Sequence, residues 1–226
     1  MKKLGNRYLL GIGVVALLLL GYQGWVTLRR DEPLEQAATK VNASIESASA
    51  RDLWGYLDAR EIELLQLDQA KLQVMLDGVH RRLAKLRKDG GLDQERMAGG
   101  GALLASQTYR TADGAWVYLG FEVAKNAEGP RVSISYPLAM ATAFAVAPEH
   151  NANEPLALQR ERRLGHGYPT VQAEWSRAGI PGVVDHAVGF KLLTFESLIS
   201  GTARNVAKLE ARYARRASPP APQPTP

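Results

Sequence analysis

Acid–base or metal chemistry in this chain would depend first on its four histidines, at positions 80, 150, 166 and 186. Asp185 precedes His186, and a carboxylate that orients an imidazole is part of a hydrolytic triad. Adjacent side chains rarely face each other, however, and no serine stands in a G-x-S-x-G elbow. His150 and Glu154 are four residues apart, but EHNANEP is typical of a loop, where this spacing does not bring two ligands to one helical face. We therefore predict no catalytic residue and no metal ligand.

A pair of carboxylates, Glu61 and Glu63, lies in the segment DLWGYLDAREIELLQLD, close to Trp54 and Tyr56. Two carboxylates that line a cavity could perform general acid–base catalysis. The alternative, which we favour, is a solvated helix face, because charged residues stand between the leucines of this segment.

Three successive glycines in MAGGGALLAS raise the question of a phosphate-binding loop. Such a loop needs a strand before the glycines and a helix after them, often with a lysine. The preceding LDQERM is not typical of a strand. We predict a flexible joint at this point and no bound cofactor.

The charge distribution argues against a nucleic-acid partner. The chain has a net charge of +5, but residues 1–30 contain five cations and no acid, so the remainder holds 23 charges of each sign. Nucleic-acid binding normally requires a basic surface on the folded domain itself. The chain has no cysteine, which excludes disulfides, thiolate metal sites, a cysteine nucleophile and a lipid-attachment cysteine.

A basic cluster near the carboxyl terminus is the candidate contact surface. It comprises Arg204, Lys208, Arg212, Arg215 and Arg216. Cations at a helix end complement the negative pole of the helix dipole, so solvation and the dipole are one explanation of the cluster. The functional alternative is contact with an envelope protein, an anionic polymer or anionic lipid headgroups.

Residues 8–28 contain no charged side chain and are long enough to span a membrane as a helix, since about 20 residues suffice. Tyr22 and Trp25 suit a membrane interface, and no small-residue cleavage site follows the apolar run, as a cleaved signal peptide would require. Three basic residues precede the run and two follow it, which favours a cytoplasmic amino terminus. We therefore expect a single-pass membrane protein whose carboxyl-terminal domain is extracytoplasmic.

The order of periodic segments indicates an α+β fold: a single amino-terminal transmembrane helix, then a helix pair packed on a small antiparallel sheet, then a helical carboxyl-terminal extension. The boundaries that we predict are a cytoplasmic amino terminus at 1–7, a transmembrane anchor at 8–28, a stalk or first helix at 29–50, an extracytoplasmic domain at 51–216 and a disordered proline-rich tail at 217–226.

The clearest single helix covers Asp68–Lys88, where apolar residues recur every three or four positions and Asp68 can cap the first turn. Ala102–Arg110 and Ala115–Ala124 flank an Asp-Gly turn, a pattern that predicts a β-hairpin. Alternation from Val132 to Tyr136 predicts a third strand.

The remaining segments are predicted mainly as helices. Residues 136–147 are apolar but too short to span a membrane, so they form a buried strand or a core helix. Glycine and proline positions suggest two separate helices, at Pro155–Leu164 and Pro169–Ala178. Thr194 caps a last long helix.

The bent helix pair and the strands after it resemble, in element order over residues 40–147, the beginning of NTF2-like domains. The resemblance implies a cone of helices against a curved sheet, a scaffold that serves ligand pockets, enzymes and assembly modules alike. The helical extension at 150–216 departs from that pattern. We expect a membrane-anchored binding or assembly module of the cell envelope without catalysis; the alternative is a membrane-anchored enzyme with an unrecognised acid–base pocket.

Overall fold

The computed structural model describes residues 32–99, 101–112, 114–146, 154–186 and 192–217. These residues form an α+β fold with seven helices and a four-stranded antiparallel sheet, which confirms the α+β part of the predicted fold class. Within these ranges no helix combines the length and the apolar character that a membrane crossing requires. The predicted fold class included a transmembrane helix, and on this point it is wrong for the described residues. Residues 8–28, where the prediction puts the span, lie outside the described residues.

Four helices precede the sheet: α1 (Leu34–Glu46), α2 (Ala50–Trp54), α3 (Ala59–Leu64) and α4 (Gln69–Leu83). Asp68 accepts a hydrogen bond from the backbone N–H of Lys71 at 2.7 Å, which confirms the predicted cap of α4. The helix ends earlier than the predicted Lys88, because the chain enters the first strand at Arg87.

The sheet has the order β1 (Arg87–Arg96), β2 (Ala102–Arg110), β3 (Trp116–Asn126), β4 (Gly129–Val132). The predicted hairpin is confirmed as β2 and β3, with Gly114 at a φ of 82° in the turn, where a side chain would be strained. The predicted third strand, from Val132 to Tyr136, is misplaced, because the observed strand β4 shares only Val132 with it. Strand β4 ends at Val132, and Ser135 already belongs to the next helix.

The two faces of the hairpin differ in burial. Residues at odd positions on β2 and β3, from Leu103 to Tyr109 and from Val117 to Val123, are buried against the helices. Leu104, Trp116 and Tyr118 are exposed on the opposite face.

Strand β1 forms one edge of the sheet and is mostly exposed. Polar contacts connect it to α1: Arg96 pairs with Glu35 at 2.6 Å, Lys88 pairs with Glu46 at 2.5 Å, and Gln94 donates to Thr39 at 3.1 Å. The segment LDQER, which the sequence does not predict as a strand, belongs to β1, since a strand exposed on both faces shows no apolar alternation.

The carboxyl-terminal half comprises α5 (Ser135–Val146), α6 (Leu156–Arg177), β5 (Val183–Asp185), β6 (Leu192–Thr194) and α7 (Phe195–Ala217). Thr194 accepts a hydrogen bond from the N–H of Ser197 at 3.0 Å, so the predicted cap of the last helix is confirmed. Helices α6 and α7 are antiparallel, because the later residue of α6 contacts the earlier residue of α7: Gly165 lies next to Thr202, and Arg162 pairs with Glu210.

The prediction of two helices at Pro155–Leu164 and Pro169–Ala178 is wrong, because α6 is one helix with Pro169 inside it. A glycine between the two predicted helices has a packing role. A Cβ atom at Gly167 would overlap the carbonyl oxygen of Ala143, so this glycine lets α6 approach α5 closely. Pro169 has no N–H, so α6 lacks one backbone hydrogen bond at this point. The packing of α6 against α5 and α7 compensates for this loss.

One hydrophobic core joins both halves of the described chain. Leu72, Val79, Phe121 and Ile134 are fully buried in it, and Trp54 packs at its margin.

Candidate functional site

The Asp185–His186 pair does not form an acid–base dyad. Asp185 is buried and its Oδ2 accepts a hydrogen bond from the Ser133 hydroxyl at 3.2 Å, whereas His186 is exposed and its ring lies 4.5 Å from that of Tyr136. Successive side chains of an extended chain point to opposite sides, which separates the two groups.

The other histidines are not brought together either. His80 and His166 are exposed on α4 and α6, and His150 lies outside the described residues. Glu154 forms an ion pair with Arg162. In the described part of the chain, no group of three or more histidines and acids could hold a metal ion.

The prediction of a solvated helix face is correct for Glu63, which is exposed, and wrong for Glu61, which is fully buried. Both carboxylate oxygens of Glu61 accept from the N–H of Ile134, at 3.0 and 2.9 Å, and Oε1 also accepts from the N–H of Ser135 at 2.6 Å. Burial raises the pKa of Glu61 to about 7, with a further increase from the charge of Asp185, against the lowering effect of hydrogen bonds from Ser135 and Ile134. Glu61 therefore caps the start of α5 and is not half of a carboxylate pair.

A pocket of about 510 Å³ lies between the turn end of the β2–β3 hairpin, the second half of α5 and the first half of α6. We call it the aromatic pocket. Its lining residues are mostly apolar: Gly114, Ala115, Trp116, Tyr118, Met140, Phe144, Leu156, Gln159, Arg160, Arg163 and Leu164. This volume lies within the range of about 300 to 1,000 Å³ that is typical of small-molecule sites.

The strand wall of the aromatic pocket consists of two aromatic side chains that contact neighbouring residues of the sheet. Trp116 and Tyr118 are 49% and 46% exposed. The Arg110 guanidinium lies 3.8 Å from the centre of the Trp116 ring and donates from Nε to Asp89 at 2.9 Å. The Tyr118 ring lies over Gly120, where an added Cβ atom would come within 2.7 Å of it. Both rings therefore present a preset apolar surface to solvent.

The helix wall of the pocket combines apolar side chains with two arginines. Met140 and Phe144 come from α5, and Leu164 comes from α6. Arg163 is only 6% exposed, and its guanidinium lies 5.2 Å from the centre of the Phe144 ring. Arg160 is exposed on the same helix. The described lining residues include these two cations and no carboxylate.

The basic cluster lies on the exposed surface of α7. Arg204, Lys208, Arg212 and Arg215 are exposed and form no ion pair with described residues, and Arg216 belongs to the same helix. Glu210 pairs with Arg162 on α6. Contact of this cluster with an envelope protein, anionic polymer or lipid stays a prediction.

The strand period of β3 indicates both aromatic residues of the strand wall, whereas no sequence pattern indicates the helix wall. Trp116 and Tyr118 alternate with Val117 and Leu119, so their outward direction follows from the strand period. No comparable signal marks Arg160 or Arg163, because arginines on an amphipathic helix are ordinary surface residues.

Comparison of the chain with known protein families, with curated proteins and with solved structures gives no match. The resemblance to NTF2-like domains stays a prediction.

Proposed function

We propose that this chain is a non-catalytic binding module whose ligand is a small molecule with an apolar body, bound in the aromatic pocket. One observation carries the proposal: a preset wall of Trp116 and Tyr118 stands exposed to solvent across the pocket from the apolar side chains of α5 and α6. Concave apolar sites with a few polar groups are the usual form of small-molecule sites. The extracytoplasmic location remains a prediction from residues outside the described part.

The chemistry of the lining supports binding rather than catalysis. Aromatic and aliphatic side chains contribute contact area, and an arginine guanidinium stays protonated in proteins, so it cannot act as a general base. Histidine and carboxylate side chains, the usual acid–base groups, do not occur among the described lining residues. The enzyme alternative would require such a group at the pocket.

Titration of the purified full-length protein with N-phenyl-1-naphthylamine, a neutral apolar dye that fluoresces when desolvated, tests the proposal. We expect saturable binding and a loss of affinity of about tenfold or more in the Trp116→Ala, Tyr118→Ala double variant, since buried aromatic contacts dominate the free energy of such sites. Leu104→Ala is the matched control, because Leu104 is 39% exposed on the same sheet face and does not line the pocket.

Equal dye affinity in the unmodified protein and the double variant, with circular dichroism showing both folded, would contradict the proposal. A loss of affinity in Leu104→Ala as large as in the double variant would also contradict it, because the dye would then bind the open sheet face.

A further inference from the structure

The two arginines of the aromatic pocket lie three residues apart on α6, at Arg160 and Arg163. Residues at this spacing are neighbours on one helix face, with Cβ atoms about 5 to 6 Å apart. Arg163 is held in the wall over Phe144, and Arg160 is exposed and makes no hydrogen bond or ion pair within the described ranges. Among the described lining residues, the cations of the pocket therefore lie together on α6.

Two described acids close to these arginines in the chain have partners of their own. Glu154 pairs with Arg162, and Glu161 accepts a hydrogen bond from Asn205 on α7 at 3.0 Å. Neither acid lines the pocket. The amino-terminal end of α6 lies at the same place, since Leu156 is both the first residue of the helix and a lining residue, and the positive pole of the helix dipole adds to the charge of the arginines.

We propose that the ligand of the aromatic pocket is an organic anion, with an apolar body on Trp116 and Tyr118 and one carboxylate or sulfonate head held by Arg160 and Arg163. The inference rests on the proposed function and adds the charge of the ligand to it. Guanidinium groups present planar forks of donors that match the oxygens of such a head. A pocket of about 510 Å³ accommodates one such molecule.

Two dyes with the same ring system test the inference in the full-length protein: neutral N-phenyl-1-naphthylamine and 8-anilino-1-naphthalenesulfonate, which carries an added sulfonate. We expect the unmodified protein to bind the sulfonate dye about fivefold or more tightly than the neutral dye, which is the effect of a single partly exposed charge interaction. Raising the salt concentration should weaken binding of the sulfonate dye only.

Arg160→Gln removes the exposed cation and keeps a polar side chain of similar length. We expect this variant to lose the preference for the sulfonate dye and to keep its affinity for the neutral dye. Arg162→Gln is the matched control, because Arg162 stands on the same helix, pairs with Glu154 and Glu210, and does not line the pocket. It should bind both dyes as the unmodified protein does.

The possible results separate the two proposals. If the neutral dye binds in a manner that requires Trp116 and Tyr118, and the sulfonate dye binds no more tightly, the anionic ligand is excluded while the binding module stands. If neither dye binds the unmodified protein, both proposals fail. A preference for the sulfonate dye that survives in Arg160→Gln, or that disappears equally in Arg162→Gln, also overturns the role of the pocket arginines.

Discussion

At the scale of single residues, Glu61 is a carboxyl group whose surroundings change its ordinary chemistry. It is a carboxyl group without solvent exposure, held by the backbone N–H groups of Ile134 and Ser135 at the start of α5. Its pKa rises from 4.5 to about 7, chiefly because burial disfavours the charged form. The folded chain therefore binds a proton at Glu61 over a pH range in which the unfolded chain has released it.

Replacing Glu61 by Gln should reduce the pH dependence of stability. The raised pKa makes a contribution to the free energy of unfolding that is fully present below pH 4.5 and is lost as the pH rises to about 7, by up to about 3 kcal/mol. Glu61→Gln cannot release a proton, so its free energy of unfolding should fall less between pH 5 and pH 8. Urea denaturation at a series of pH values measures this slope.

Glu63→Gln is the control for that measurement, since Glu63 is an exposed acid on the same helix. It should keep the slope of the unmodified protein. A Glu61→Gln variant with the unmodified slope would show that Glu61 titrates alike in the folded and unfolded chain.

At the scale of elements, the crossing of α5 and α6 depends on the absence of one side chain. Gly167 faces the carbonyl group of Ala143, and no larger residue fits between the two helices at their present separation. Met140 and Phe144 of α5 and Arg163 and Leu164 of α6 line the aromatic pocket close to this crossing. The separation of the helices there therefore determines the width of the pocket.

Gly167→Ala should destabilise the protein, because the added methyl group forces α6 away from α5. Overpacking of this kind costs about 1 to 3 kcal/mol, which exceeds the helix propensity that alanine adds. Gly201→Ala is the control: Gly201 lies in α7 with nothing within 4 Å of an added Cβ, so this variant should gain about 0.5 to 1 kcal/mol. Chemical denaturation of both variants compares them, and equal stability would place the helices further apart than described.

The elements that the sequence predicts well are those whose buried faces repeat with a regular period. Helix α4 and the β2–β3 hairpin have such faces, and Thr194 marks the start of α7 by its capping hydroxyl. Strand β1 could not be found in this way because neither of its faces is buried. Helix α6 was divided wrongly because Gly167 and Pro169 resemble helix breakers until the contact with α5 is known.

The candidate site shows the same limit. Trp116 and Tyr118 follow from strand alternation, but the opposite wall comes from residues 140–164, which only the tertiary fold brings near them. The burial of Glu61 could not be read from its segment either, because its partners, the N–H groups of Ile134 and Ser135, are more than 70 residues away along the chain.

At the scale of the whole molecule, Phe195 connects the carboxyl-terminal helices to the common core. Its ring is fully buried and meets the edges of Tyr168 and Trp175, with ring centres 6.3 and 5.3 Å away. These three residues belong to the same hydrophobic cluster as Phe121 of the sheet. Shared burial of this kind makes two halves unfold together.

Phe195→Ala should therefore lower the stability of the entire molecule, by about 3 to 5 kcal/mol, the usual cost of truncating a buried phenylalanine. We expect one transition, at the same denaturant concentration by circular dichroism and by tryptophan fluorescence. Phe121→Ala should behave alike. Two separate transitions in Phe195→Ala would show that α6 and α7 form an independent unit.

Strand β1 is connected to α1 by ion pairs at the surface, whereas β2 and β3 are held by apolar side chains in the core. Dissolved salt weakens exposed ion pairs, since its screening length falls to about 3 Å at 1 M, whereas it leaves apolar burial intact. We therefore expect concentrated salt to open the sheet first at this edge, so that backbone amides of β1 exchange with solvent before those of β2.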